Sequence, residues 1–175
     1  NPRTWFSPQT ETWCREKGQG ETMRRKDKVI NSRDLIDAII DSCEVCHLGL
    51  AKGGIPYVVR VSFGYDGQAL YLHTAREGRK IEYFLANPAV CIQFDRRHRV
   101  KDHPDLACQW TAEYESVIGF GQIEELTDPE GKRNGLIQIM AHYSGRDDWS
   151  FDQAGIEKTR IWKIGIISLT GKRSG

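Results

Sequence analysis

Residues 56–80 read PYVVRVSFGYDGQALYLHTAREGRK. Apolar residues alternate or run together through Pro56–Tyr65, which predicts a strand, and Asp66-Gly67 marks a tight turn. Ala69–Thr74 then reads as a second strand, and Glu77–Ala86 as a helix with Ile81, Phe84 and Leu85 turned inward. Asn87-Pro88 ends that helix, because the residue before proline is pushed out of the helical region. Five polar residues, His73, Thr74, Arg76, Arg79 and Lys80, fall where the strand gives way to the helix. A hydroxyl, an imidazole, three cations and the free N–H groups of a helix start are donors that suit an anion, a phosphate above all. The same residues also read as the solvated basic face of a helix, and composition does not separate the two readings.

The flanking sequence repeats the alternation of short strands and turns. Asn31 or Ser32 can cap a helix over Asp34–Ser42, whose Leu35, Ile36, Ile39 and Ile40 share one face. Val45–Ala51 reads as a strand and Lys52-Gly53-Gly54 as a turn. Beyond the central stretch, Ala89–Asp95 is a strand with Val90, Ile92 and Phe94 alternating, and the charged segment Arg96–Asp105 reads as a loop. Trp110–Glu125 is a long strand or a bulged pair with bends at Gly119 and Gly121, Pro129–Tyr143 a helix capped by Asp128, and Arg160–Leu169 a last strand. Residues 1–22 show no periodicity and read as an extension or leader, with Met23 as a start and 23–175 as one domain. The pattern predicts a mainly β protein, a small antiparallel barrel with helices around it.

The 175 residues carry 25 Lys+Arg against 24 Asp+Glu, a balance that lacks the basic excess of a nucleic-acid binder. No apolar run approaches the roughly 20 residues of a membrane span, and no signal-peptide core precedes the domain, so a cytoplasmic location is expected. Five cysteines cannot all pair within the chain, which favours reduced thiols; Cys43 and Cys91 sit in apolar patterns and read as small core residues.

Cys43-Glu44-Val45-Cys46-His47 has the C-x-x-C-H spacing of covalent haem attachment. Two features speak against that use: there is no export signal, and alternate residues of Val45–Leu50 are needed in a core. The single C-x-x-C would need distant ligands to bind zinc, and no metal site is assigned. His73 at a strand end beside cations can polarise a bound ring or simply be a solvated histidine. Trp110, Tyr114 and Trp162 suit either a core or the wall of a flat heterocycle, with Cys108 on the same face as Trp110. No catalytic-serine elbow, Walker loop or G-x-G-x-x-G fingerprint is present.

Taken in order, several pieces resemble the flavin-binding split-barrel proteins related to pyridoxamine phosphate oxidase, and within them the 5-nitroimidazole resistance (Nim-type) proteins. They are Met23–Asp27, Cys46–Leu50, Pro56–Val59 with Phe63-Gly64-Tyr65, Leu70–Ala75 with Gly78-Arg79-Lys80, Asn87–Cys91, Tyr114–Gly121 and Thr170-Gly171-Lys172. The likeness spans about residues 23–172 and implies an antiparallel, Greek-key-like FMN-binding split barrel that forms a homodimer with FMN in the cleft between chains. Carried over, Thr74 and Lys80 contact the phosphate with Arg79 nearby. Val61, Ser62 and Phe63 offer backbone groups to the ring edge, His73 lies by the flavin as the catalytic candidate, and Trp110 and Ser116 face the pocket. Arg60 stands where Nim-type chains commonly carry proline, so it either pairs with phosphate or points outward. The C-terminal substrate segment of true pyridoxamine phosphate oxidases is missing, so vitamin B6 chemistry is not implied. The resemblance thus implies an FMN-dependent oxidoreductase acting on a small flat substrate; the alternative is a non-catalytic flavin or haem carrier or sensor on the same fold.

Overall fold

The structure is a computed structural model that describes residues 25–175. The extension read over 1–22, with Met23 and Arg24, lies outside the described residues. The described residues form eight strands: β1 (Val29–Ile30), β2 (Cys46–Lys52), β3 (Ile55–Val61), β4 (Gly64–Tyr65), β5 (Ala69–Thr74), β6 (Ala89–Lys101), β7 (Thr111–Leu126) and β8 (Arg160–Ser174). Among the described residues four α-helices accompany them: α1 (Arg33–Asp41), α2 (Arg79–Ala86), α3 (Pro129–Ser144) and α4 (Gln153–Lys158).

Every pairing is antiparallel, in the order β3-β2-β6-β7-β8-β5-β4, with β1 added on β8. Strands β6, β7 and β8 lie side by side with β5 returning beside β8, which is Greek-key order. Laid flat, this path would put β3 and β4 about 29 Å apart. Yet Val61 and Gly64 are joined through only Ser62 and Phe63, a link that reaches about 11 Å. The sheet must therefore curl until its two edges meet. Because β3 and β4 do not pair, the barrel stays open along one seam.

The interior is filled by alternate residues of each strand. Cys46, Leu48 and Leu50 of β2, Val90, Ile92 and Phe94 of β6, and Trp162 and Ile164 of β8 are buried with Phe63, Leu70 and Leu72. Phe63 meets Phe94 edge-on at 5.2 Å, and Phe84 meets Trp162 at 5.1 Å. Ser32 caps α1 by accepting from the Leu35 N–H, and Ile36, Ile39 and Ile40 seal the core from that side. Asp128 caps α3 in the same way through the Gly131 N–H, with Pro129 at the first helical position. That helix crosses β4 and β5, where Ile139 packs on Ala69 and Tyr71.

Four expectations are corrected. The segment Arg96–Lys101 is strand rather than loop, because its cations find acceptors across the ladder: Arg96 on Glu115 at 2.6 Å, and Lys101 on Glu113. Pro56–Tyr65 is two strands, broken at the seam. Leu85 is 65% exposed, and Tyr83 takes its inward place. Cys91 lies on the outer face of β6, opposite Phe120, whereas Cys43 is buried as expected. Strand β1 and helix α4 are additions; Asp152 caps α4 through the Gly155 N–H.

Arg160 grips Glu125 through two bonds, Nε–Oε1 at 2.7 Å and Nη2–Oε2 at 2.6 Å. That hydrogen bonding holds Glu125 below its ordinary value of 4.5. A depressed folded-state value means that the pair stabilises the fold above about pH 4.5 and loses that contribution as pH falls through the depressed value. Glu125→Gln is expected to flatten the acid limb of a Tm-against-pH curve relative to wild type and to leave its alkaline limb unchanged. An acid limb as steep as the wild type's would overturn this assignment.

Candidate functional site

The site begins at the seam. The β4–β5 ladder pairs Gly64 with Tyr71 and Tyr65 with Leu70, and there it stops. Continued by one more pair of residues on each side, that register would set Ser62 against His73. The strands have instead parted, leaving backbone groups of β3's end and of β5's free edge without ladder partners among the described residues. An edge of this kind is an obligatory hydrogen-bonding surface that must find water, a side chain or a ligand. Val61 and Ser62 on one side and His73 and Thr74 on the other thus flank one opening. The Phe63 N–H is engaged already: it donates to the Tyr143 hydroxyl at 3.1 Å, which in turn donates to the Glu44 carbonyl at 2.6 Å. His142 beside it donates from Nε2 to the Cys43 carbonyl at 2.9 Å. Helix α3 therefore fixes the chain on the core side of the seam, and the Phe63 side chain is buried rather than presented to a ligand.

The cationic end follows from β5. Gly78 precedes α2 with φ 139°, a backbone conformation that disfavours other residues, and no side chain caps the helix. The first N–H groups of α2 are consequently open to an anion. Arg79 lies over the Tyr57 ring at 5.8 Å, which sets the helix start beside β3. Lys80 is half-buried and has no ion-pair partner among the described residues. From Tyr57 to Ser62 is five residues of extended chain, about 16 Å. The donor set suits a phosphate-bearing flavin: cations and helix N–H groups at one end, open strand backbone at the other.

The remaining candidates divide. Thr74 is buried on the opposite face of β5 from His73, its hydroxyl donating to the Ala75 carbonyl at 2.9 Å and accepting from Trp162 Nε1 at 3.0 Å. It secures the strand end on the core more than it offers a free donor. His73 is exposed. Arg60 is exposed on the outer face of β3, opposite His47, and does not turn into the seam. Ser116 also lies on the outer face, on β7 opposite Asp95, three strands away from β3. Trp110 is not on a strand: it closes the short turn Ala107–Gln109 at the β6–β7 tip and donates to the His103 carbonyl at 2.9 Å. Cys108 lies in that turn, so no extended face pairs the two. Within one chain, Ser116 and Trp110 do not reach the seam. Trp162, read as a possible pocket wall, is core. Tyr143 was missed by sequence reasoning; nothing local links it to Phe63.

The C-x-x-C-H segment offers no haem attachment point. Cys46 is fully buried, and burial pushes its thiol up to about 12; the Cys43 thiol is raised by burial too. Bonding either sulfur to a macrocycle would require opening the barrel core. Among the described residues, no helix is long and apolar enough to cross a membrane.

No curated protein matches the chain. Among solved structures, a protein of Bacteroides thetaiotaomicron provisionally assigned as a 5-nitroimidazole antibiotic resistance protein is 35% identical. The match covers 82% of this chain and 85% of that one, with a TM-score of 0.73. A FAD-binding protein of Mesorhizobium loti is 26% identical over 85% of this chain and 98% of its own, with a TM-score of 0.61. A flavocytochrome of Azotobacter vinelandii shares the fold at 18% identity, covering 87% of this chain and 72% of that one, with a TM-score of 0.74. Strands β2 to β7, the seam and the cationic start of α2 all fall within residues 32–173, which match the family model described as pyridoxamine 5'-phosphate oxidase, and the chain belongs to that family.

Proposed function

We propose that this chain is a homodimeric, FMN-dependent oxidoreductase of the nitroimidazole-reductase type. The observation that carries the proposal is the pairing of an open seam at Ser62 and His73 with an uncapped helix start bearing Arg79 and Lys80. The relationship to a provisionally assigned nitroimidazole resistance protein supports the substrate class, a small flat nitroaromatic compound. When bound, FMN supplies the transfer of electrons from a reductant to that compound. The residues of the chain do the rest. Arg79, Lys80 and the α2 N–H groups hold the phosphate, the backbone at Val61 and Ser62 orients the ring edge, and His73 offers an imidazole beside it.

A second copy of the chain would complete the cleft. The outer face of the sheet carries an apolar row, Val58–Gly49–Cys91, and beside it Ile118 is 42% exposed and Val58 66% exposed. This is apolar surface of the kind that buries against a partner. Ser116 lies on the same face, so such a partner would bring it toward a seam that it cannot reach in its own chain.

The absorbance spectrum of the purified protein, with mass spectrometry of the released cofactor and light scattering, tests the proposal. Flavin bands, FMN mass and a dimer are expected. Failure to bind added FMN, or FMN held by a monomer, would sink the reading in its present form. FMN bound without turnover of any reductant and 5-nitroimidazole pair would favour a carrier. His73→Ala is expected to retain FMN and to slow turnover about 100-fold or more; unchanged kcat would remove His73 from the chemistry.

A further inference from the structure

The Tyr143 hydroxyl stands where a rung of the sheet would otherwise form. The β2–β3 ladder pairs Cys46 with Val61 and ends there. Continued by two residues on each strand, the same register would set Glu44 against Phe63. A direct bond from the Phe63 N–H to the Glu44 carbonyl would be the next rung. The N–H donates instead to the Tyr143 hydroxyl at 3.1 Å, and that hydroxyl donates to the Glu44 carbonyl at 2.6 Å. A phenol has one proton to give and accepts through its lone pairs, so both of its roles are in use. Its ring meets His142 edge-on at 4.9 Å, and His142 is itself tied to the Cys43 carbonyl at 2.9 Å. Helix α3 thus inserts a fixed hydroxyl as a spacer between two chain segments that would otherwise close on each other.

The spacer decides where the next carbonyl points. The peptide bond between Ser62 and Phe63 is trans. In a planar trans peptide the carbonyl and the N–H point in opposite directions. The Phe63 N–H is directed at Tyr143 and, through it, at the chain entering β2. The Ser62 carbonyl is therefore directed away from β2. Among the described residues β3 has no strand on its other edge, so that direction is the open side of the seam. There the Ser62 carbonyl takes no hydrogen bond from any described residue, and Ser62 is exposed.

We propose that Tyr143 is a positioning residue: it keeps the Ser62 carbonyl free and aimed into the seam, where that carbonyl accepts the imide N–H of a flavin ring. The inference rests on the flavin reading above and adds to it the residue that sets the ring edge. The pyrimidine edge of an isoalloxazine carries one N–H between two carbonyls, and that N–H needs an acceptor once the ring has left water. A backbone carbonyl without a partner is such an acceptor. Without the hydroxyl, the Phe63 N–H and the Glu44 carbonyl are free to pair directly, which draws the chain toward β2 and takes the Ser62 carbonyl out of line.

Binding of FMN, N3-methyl-FMN and riboflavin to the flavin-free full chain, followed by flavin fluorescence, tests the proposal. Wild-type protein is expected to bind FMN at least about 10-fold more tightly than the N3-methyl compound. Tyr143→Phe, which keeps the ring against His142, should weaken FMN at least about fivefold and shrink that discrimination below about threefold. The ratio of FMN to riboflavin affinity, set by the phosphate at α2, should stay as in the wild type. Equal wild-type affinity for FMN and N3-methyl-FMN overturns the proposal and leaves the flavin reading standing. Discrimination that survives Tyr143→Phe is steric and overturns it too. So does a variant that weakens all three flavins in proportion, since a merely structural tyrosine would leave both ratios unchanged. Wild-type protein that binds none of the three removes the flavin reading, and this proposal with it.

Discussion

Replacing Arg79 and Lys80 together by alanine is expected to raise the dissociation constant of FMN about 100-fold or more. A hydrogen bond to an ionised partner contributes about 1.5–3 kcal/mol, and two are removed at once. The two residues should not contribute equally. Arg79 shares its charge with the face of Tyr57 at 5.8 Å, whereas Lys80 is half-buried with no ion pair among the described residues. Lys80→Ala alone should therefore exceed Arg79→Ala. The N–H groups of α2 survive both changes, so residual binding remains and should depend less steeply on salt than in the wild type. Quenching of flavin fluorescence measures all of this directly. Thermal stability of the flavin-free protein should hold within about 0.5 kcal/mol, since neither side chain is part of the core. A change below about threefold in the double variant would place the phosphate somewhere other than the start of α2.

The parts of this site that could be read from the sequence are those carried by neighbours in the chain. Thr74 to Lys80 form one strand-to-helix junction, so their proximity needs no tertiary information. The break at Ser62-Phe63 was not legible, because apolar residues run on through it and the whole of Pro56–Tyr65 reads as one strand. What breaks it is α3, arriving from 65 or more positions later to press on Gly64 and to capture the Phe63 N–H. Gly64 was the one visible sign, a glycine inside a strand pattern. The charged run Arg96–Lys101 misled for the same reason: its strand state depends on Glu113 and Glu115 in the opposing strand. Leu85 was assigned inward from a one-face pattern, but α2 has only eight residues and turns Tyr83 to the core instead. Ser116 and Trp110 sit on surfaces remote from the seam in a single chain, and only a second chain could join them to it.

Gly64→Ala is expected to destabilise the protein by at least about 3 kcal/mol, lowering Tm by about 10 °C for a domain of this size. A methyl group built on Gly64 falls 2.5 Å from the Gln138 carbonyl oxygen and inside contact distance of Gln138 C and Ile139 N. All three are backbone atoms of α3, so no side chain can swing aside to make room. Either the helix lifts off β4 or the strand retreats into a core where Phe63 and Phe94 already meet at 5.2 Å. Lifting α3 also carries away His142 and Tyr143, whose bonds to Cys43, Glu44 and Phe63 tie the core side of the seam. The variant should therefore lose cofactor affinity along with stability, although position 64 bears no side chain that a ligand could touch. Gly165→Ala is the matched control: its methyl meets nothing within 4 Å. It should cost less than about 1 kcal/mol and leave flavin binding intact. If Gly64→Ala melts with the wild type, α3 does not press on β4 as described. If it melts early yet binds FMN normally, the seam is not held by α3.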